Sequence, residues 1–82
     1  MTHTYATRGV CSRAITIEMD DEHIIKSVKF MGGCNGNTQG VASLAVGMKA
    51  EDVIERLRGI DCGGRGTSCP DQLANAIEDA IK

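Results

Sequence analysis

The sequence predicts an α+β domain, a two- or three-stranded antiparallel sheet followed by three helices packed on one of its faces. Two observations carry this. Apolar and polar residues alternate with period 2 in the first part of the chain, and after Gly33 the apolar residues recur with a helical period. Strands first and helices afterwards is the order of an α+β fold. With 82 residues there is room for one domain, 1–82, with one modest core.

The elements follow in order. In residues 13–20, Ile15, Ile17 and Met19 fall on one face and Thr16, Glu18 and Asp20 on the other, as in a half-buried strand. Asp20-Asp21-Glu22-His23 reads as a turn. Ile24–Met31 forms the next strand, Val28 and Phe30 inward, Ser27 and Lys29 outward. Lys26 shares the face of Val28, which predicts a bulge or a frayed start there. A weaker strand over Thr4–Val10 pairs with residues 13–20 through a turn around Gly9–Ser12. Val41, Leu44, Ala45 and Met48 lie at i, i+3, i+4 and i+7, predicting a helix over Thr38–Val46 that Gly47 ends. Ala50–Arg58 is a second helix, with Val53, Ile54 and Leu57 inward and Gly59 closing it. After the glycine-rich loop 60–69, Pro70–Ile81 is the last helix, burying Leu73, Ala74, Ile77 and Ile81. Ser68 and Asp71 match a capping box, and Pro70 suits the first turn.

Composition narrows the function. The only aromatics are Tyr5 and Phe30, so the core is built from aliphatic residues that bury less area each. A domain of this size often leans on a metal, a crosslink or a partner. Nine basic residues face eleven acidic ones, with no basic block of the kind nucleic-acid binding needs. No apolar run reaches membrane-spanning length, and the first residues lack the apolar core of a secretory signal. The expected setting is cytoplasmic, where four cysteines stay reduced.

Those cysteines fall at element ends: Cys11 between strands, Cys34 where the last strand gives way to a helix, Cys62 and Cys69 around the glycine loop. Cys34 and Cys69 precede helices, whose N-termini favour a thiolate, the form that binds metal or attacks a disulfide. Four thiolates make the closed tetrahedral set of structural zinc. Such a site contributes on the order of 10–16 kcal/mol, against about 5–15 kcal/mol for the stability of a whole domain. The leading expectation is therefore one Zn²⁺ on Cys11, Cys34, Cys62 and Cys69, with no catalytic residue assigned. No C-x-x-C is present, and the closest pair has six residues between Cys62 and Cys69. A thiol relay exchanging through that pair is the rival.

Two weaker readings remain. Gly63-Gly64-Arg65-Gly66-Thr67-Ser68 offers backbone N–H groups to an anion or nucleotide, without the ending of a nucleotide P-loop. His3 and His23 read as solvated residues; a Cys–His nucleophile pair requires the fold to bring one of them to Cys34 or Cys69.

Thr67-Ser68-Cys69-Pro70-Asp71 is the signature string of the TSCPD family, and Gly32-Gly33-Cys34-Asn35-Gly36-Asn37 and Cys62-Gly63 also fit. The chain resembles a stand-alone member over its whole length. The same domain is a carboxy-terminal module of adenosylcobalamin-dependent ribonucleotide reductases. That resemblance implies a ribonucleoside-diphosphate reductase or thiol-redox partner and a link to DNA synthesis. The chain is too short for the large barrel such an oxidoreductase needs, so the implied role is accessory. A more distant resemblance is to iron–sulfur cluster scaffold proteins, whose topology runs strand, hairpin, strand, Gly-Cys, helices, then a cysteine opening the final helix. It places Cys11, Cys34 and Cys69 at the scaffold's ligand positions, with Ser68 where the scaffold has histidine and Cys62 as the substitute, and implies an iron–sulfur cluster as the alternative cofactor.

Overall fold

The computed structural model describes residues 1–7, 12–32, 35–61, 64 and 66–81. It has β1 (Thr2–Ala6), β2 (Ser12–Met19) and β3 (Ile25–Gly32), then α1 (Asn35–Ala45), α2 (Ala50–Leu57) and α3 (Cys69–Ile81). The strands form one antiparallel sheet in the order β1-β2-β3. The predicted α+β architecture is present.

The alternation in β2 sets the sheet's two faces. Tyr5, Ile15 and Phe30 form one cross-strand row, and His3, Ile17 and Val28 the next. Ile15 and Ile17 are wholly buried, with Leu73, Ala76 and Ile77 of α3 in the same core. Thr4 and Thr16 face away and their hydroxyls meet at 3.2 Å. Near the start of β3 the pairing shifts from Glu18 opposite Ser27 to Met19 opposite Ile25. Lys26 is the extra residue, and the bulge turns Ile25 into the core while leaving Lys26 exposed. The anomaly in the sequence is thus a bulge.

The turn after β2 is built by Asp20, whose Oδ1 accepts from the N–H groups of Glu22 (2.9 Å) and Ile24 (3.0 Å). It holds His23 at φ 66°, a left-handed conformation that histidine adopts more readily than most residues. Backbone bonds then tie the connection between α1 and α2 to this end of the sheet: Ile25 N to Met48 O (2.9 Å), Gly47 N to Ile25 O (2.8 Å) and Ala50 N to His23 O (2.8 Å). Gly47 (φ 90°) and Gly59 (φ 86°) sit just past α1 and α2 in the conformation that ends a helix.

Two elements differ from expectation by more than one residue, and one side chain differs in its facing. β1 runs over Thr2–Ala6 rather than Thr4–Val10; residues 8–10 and most of the predicted Gly9–Ser12 turn lie outside the described residues. α1 starts at Asn35, three residues earlier than the apolar stripe indicates. Leu44, expected inward, is 78% exposed, while its neighbour Ala45 is buried. The helix stops at Ala45, so Met48 returns to the core by the Gly47 turn and the i+7 position does not hold Leu44 inward. Leu44 instead lines an open apolar groove with Val41, Met48, Val53 and Leu57. No helix among the described residues is long and apolar enough to cross a membrane.

Gly40 lies exposed in α1 with nothing within 4 Å of where a Cβ would stand. Gly40→Ala is expected to stabilise the protein by about 0.5–1 kcal/mol, read as a higher Tm. The Asp20 carboxyl is held below its ordinary value of 3.8, mainly by the Ile24 N–H. A depressed carboxyl stabilises the fold above that value and loses its contribution as pH falls through the folded one. Asp20→Asn keeps an acceptor but does not titrate, so its Tm should decline less steeply than wild type between about pH 4 and pH 2.

Candidate functional site

The site is best built outward from the start of α3. Ser68 is the residue before the helix, and its buried Oγ accepts from Asp71 N at 3.1 Å. Its carbonyl takes the first helical bond, from Gln72 N (2.8 Å). This is one half of the predicted capping box. The reciprocal half is replaced, because the Asp71 carboxylate turns outward to two other donors. Oδ1 accepts from Gly59 N (2.7 Å) and Oδ2 from the Thr67 hydroxyl (2.6 Å). Thr67 Oγ1 in turn accepts from Nε2 of the buried Gln72 (3.0 Å). One carboxylate thereby fastens the end of α2 to the first turn of α3.

Within the loop a second carboxylate acts alone. Asp61 Oδ2 accepts from Gly64 N at 2.7 Å, and Oδ1 accepts from Gly66 N. Two of the N–H groups expected to cradle an external anion are therefore taken up by the chain itself. Sequence reasoning missed Asp61, Thr67 and Gln72. Asp61 followed by Gly64 and Gly66 carries a signal, since Asp side chains commonly bond backbone a few residues on.

Cys69 is the first residue of α3 and its thiol is half-buried. Cys11, Cys34 and Cys62 lie outside the described residues. Their described neighbours are informative. Ser12, next after Cys11, is paired across the sheet with Gly32, two residues before Cys34. α2 begins against His23 in the β2–β3 turn and ends with Gly59 bonded to Asp71. α3 then runs back until Asp79 reaches His3, opposite Ile17, with Oδ2 and Nε2 2.8 Å apart. Cys69 is ten residues earlier, about 15 Å along a helix, so the opening of α3 lies well away from the His3–Asp79 pair. Among the described residues, no three His, Cys, Asp or Glu side chains gather to hold a metal.

Both histidines are engaged elsewhere. His3 pairs with Asp79, and His23 Nδ1 lies 3.0 Å from Glu51 Oε2. That bond is the main cause holding the Glu51 carboxyl below the usual carboxylate range. Neither histidine stands by Cys69, being at the opposite ends of α3 and α2 from it. Arg58 also reaches Glu78, joining α2 to α3 along their exposed side.

The structure thus defines an α+β domain whose last helix opens on a cysteine, with Asp71 in its first turn bonded to Gly59 and Thr67. The chain belongs to the TSCPD domain family, whose model matches residues 1–81. No curated protein and no solved structure matches the chain significantly.

Ser68→Ala removes the cap while leaving Cys69 in sequence. It is expected to lower stability by about 0.5–2 kcal/mol, measured by urea denaturation.

Proposed function

We propose that this protein is a small metal-binding module that holds one zinc ion on the thiolates of Cys11, Cys34, Cys62 and Cys69, as an accessory to ribonucleotide reduction in the cytoplasm. The observation that supports it most is the Asp71–Gly59 bond, which ties Gly59, three residues before Cys62 in the sequence, to the helical turn that begins with Cys69. The Ser12–Gly32 pairing supports the other half, since it joins the chain next to Cys11 with the chain leading to Cys34. Four thiolates from two such pairs form a closed tetrahedral set, which suits a structural ion better than an open catalytic one. Zinc bound this way supplies folding energy to a core that contains no fully buried aromatic side chain. A ribonucleotide reductase or a thiol-redox protein is the partner this role implies, through family membership.

The rival is a thiol relay through Cys62 and Cys69, which the same loop closure supports; an iron–sulfur cluster is the alternative occupant. Metal analysis of protein purified without chelator or nickel resin separates the three. The expected result is about one zinc per chain, with a clear drop in Tm on chelation and on Cys62→Ser. Melting that ignores both chelator and Cys62→Ser, with a Cys62–Cys69 disulfide forming under oxidant, would instead establish the relay. Bound iron with visible absorbance would establish the cluster.

A further inference from the structure

Resting on that cysteine site, we infer that Asp71 and Asp61 are its positioning residues, holding Gly59, Gly64, Gly66 and Thr67, on either side of Cys62 in the sequence, in place before any metal arrives. Four of the ten residues from Gly59 to Ser68 are glycine. Such a segment is costly to order, because glycine loses more backbone freedom than any other residue. If ordering waited for the metal, its cost would be subtracted from metal affinity. The two carboxylates offset part of that cost in advance, at the residues they bond. Asp71 Oδ1 holds the first residue of the segment through Gly59 N (2.7 Å). Its Oδ2 holds Thr67 near the other end (2.6 Å), and the buried Gln72 supports Thr67 from beneath at 3.0 Å. Asp61 gathers the middle by accepting from Gly64 N and Gly66 N.

A simple helix cap does not account for this arrangement. Ser68 already caps α3, and Asp71 donates its own N–H to that cap. The carboxylate of Asp71 reaches out of the helix instead, across twelve residues of sequence to Gly59. Neither carboxylate needs to touch the metal for this role. Residues that orient metal ligands from one shell out commonly change affinity as much as some ligands do.

The test measures zinc affinity by competition with a chromophoric chelator, at low temperature where circular dichroism shows the metal-free variants folded. Asp71→Ala and Asp61→Ala are expected to weaken zinc by about 10- to 100-fold. Asp71→Asn should stay close to wild type, since its oxygen can accept from Gly59 and its amide can donate to Thr67. Co²⁺ loaded in place of zinc should keep its thiolate charge-transfer band in both alanine variants, because the ligands themselves are unchanged. Equal zinc affinity across folded variants overturns the inference and leaves the two carboxylates a role in stability only. A wild-type protein that takes up neither ion defeats the metal reading instead. The inference is then decided by the Cys62–Cys69 disulfide in a glutathione buffer. There the two thiols give up two protons and two electrons, and glutathione disulfide is reduced to two molecules of glutathione. Peptide mapping should find that disulfide about tenfold less populated in Asp71→Ala, and an unchanged population overturns the inference.

Discussion

Burial of one row of β2 beneath α3 is the constraint on which the rest of the molecule depends. Ile15, Ile17 and Met19 present three apolar side chains that share one buried cluster with Leu73, Ala76 and Ile77 of α3 and with Ala45, Ala50 and Val53 of α1 and α2. Ala76, small and wholly buried in that cluster, lets the helix come close, so a sheet without large inward aromatics can still be sealed. Tyr5 and Phe30 stand on either side of Ile15 at the margin of that core, half-buried, closing it laterally. Once α3 is laid along β2, its first residue is fixed relative to the ends of the strands. The position of Cys69 is therefore a consequence of packing rather than of the loop before it.

The second constraint acts through backbone bonds. The 47–50 segment pairs with 23–25, so α1 and α2 are joined at one end of the sheet and both lead away from it. The bulge at Lys26 serves the same junction, because it alone brings Ile25 inward opposite Met19. Side chains then tie the periphery: His23 with Glu51 at the start of α2, His3 with Asp79 near the end of α3. These exposed pairs contribute little stability individually. Their importance is in orientation, since each joins an element of the sheet to a helix.

Much of this was legible in the sequence where a short-range rule governs. The period-2 pattern of residues 13–20 and the glycines after α1 and α2 act within a few residues, and the structure agrees with them. Lys26 announced its bulge because one residue broke the parity of an otherwise regular strand. The start of α1 was not legible: Asn35-Gly36-Asn37 favours turns by propensity, yet these residues open the helix. Leu44 was misassigned because a helical stripe presumes that the helix continues, and this one ends at Ala45. The histidine pairs span 76 and 28 residues, and the Asp71–Gly59 bond spans twelve, so no local pattern encodes them. Of the candidate site, the sequence revealed the cysteines and the cap but not the carboxylates that brace the loop.

The distribution of tasks within Thr67-Ser68-Cys69-Pro70-Asp71 bears on why a cysteine stands in it. Thr67 links Asp71 to Gln72, Ser68 caps the helix, and Asp71 reaches Gly59. Pro70 occupies a first-turn position, where its missing N–H costs no helical bond. Each of these four has a geometric reason to be what it is, satisfied by bonds within the turn or by its ring. A helix start makes no comparable demand for a thiol at its first residue, where alanine, glutamate or serine would serve the backbone equally well. The side chain of Cys69 is instead held half-buried at the end of α3 nearest the braced loop. Four residues of the string thus account for the rigidity of the turn, and Cys69 stands among them as the first residue of the helix they brace.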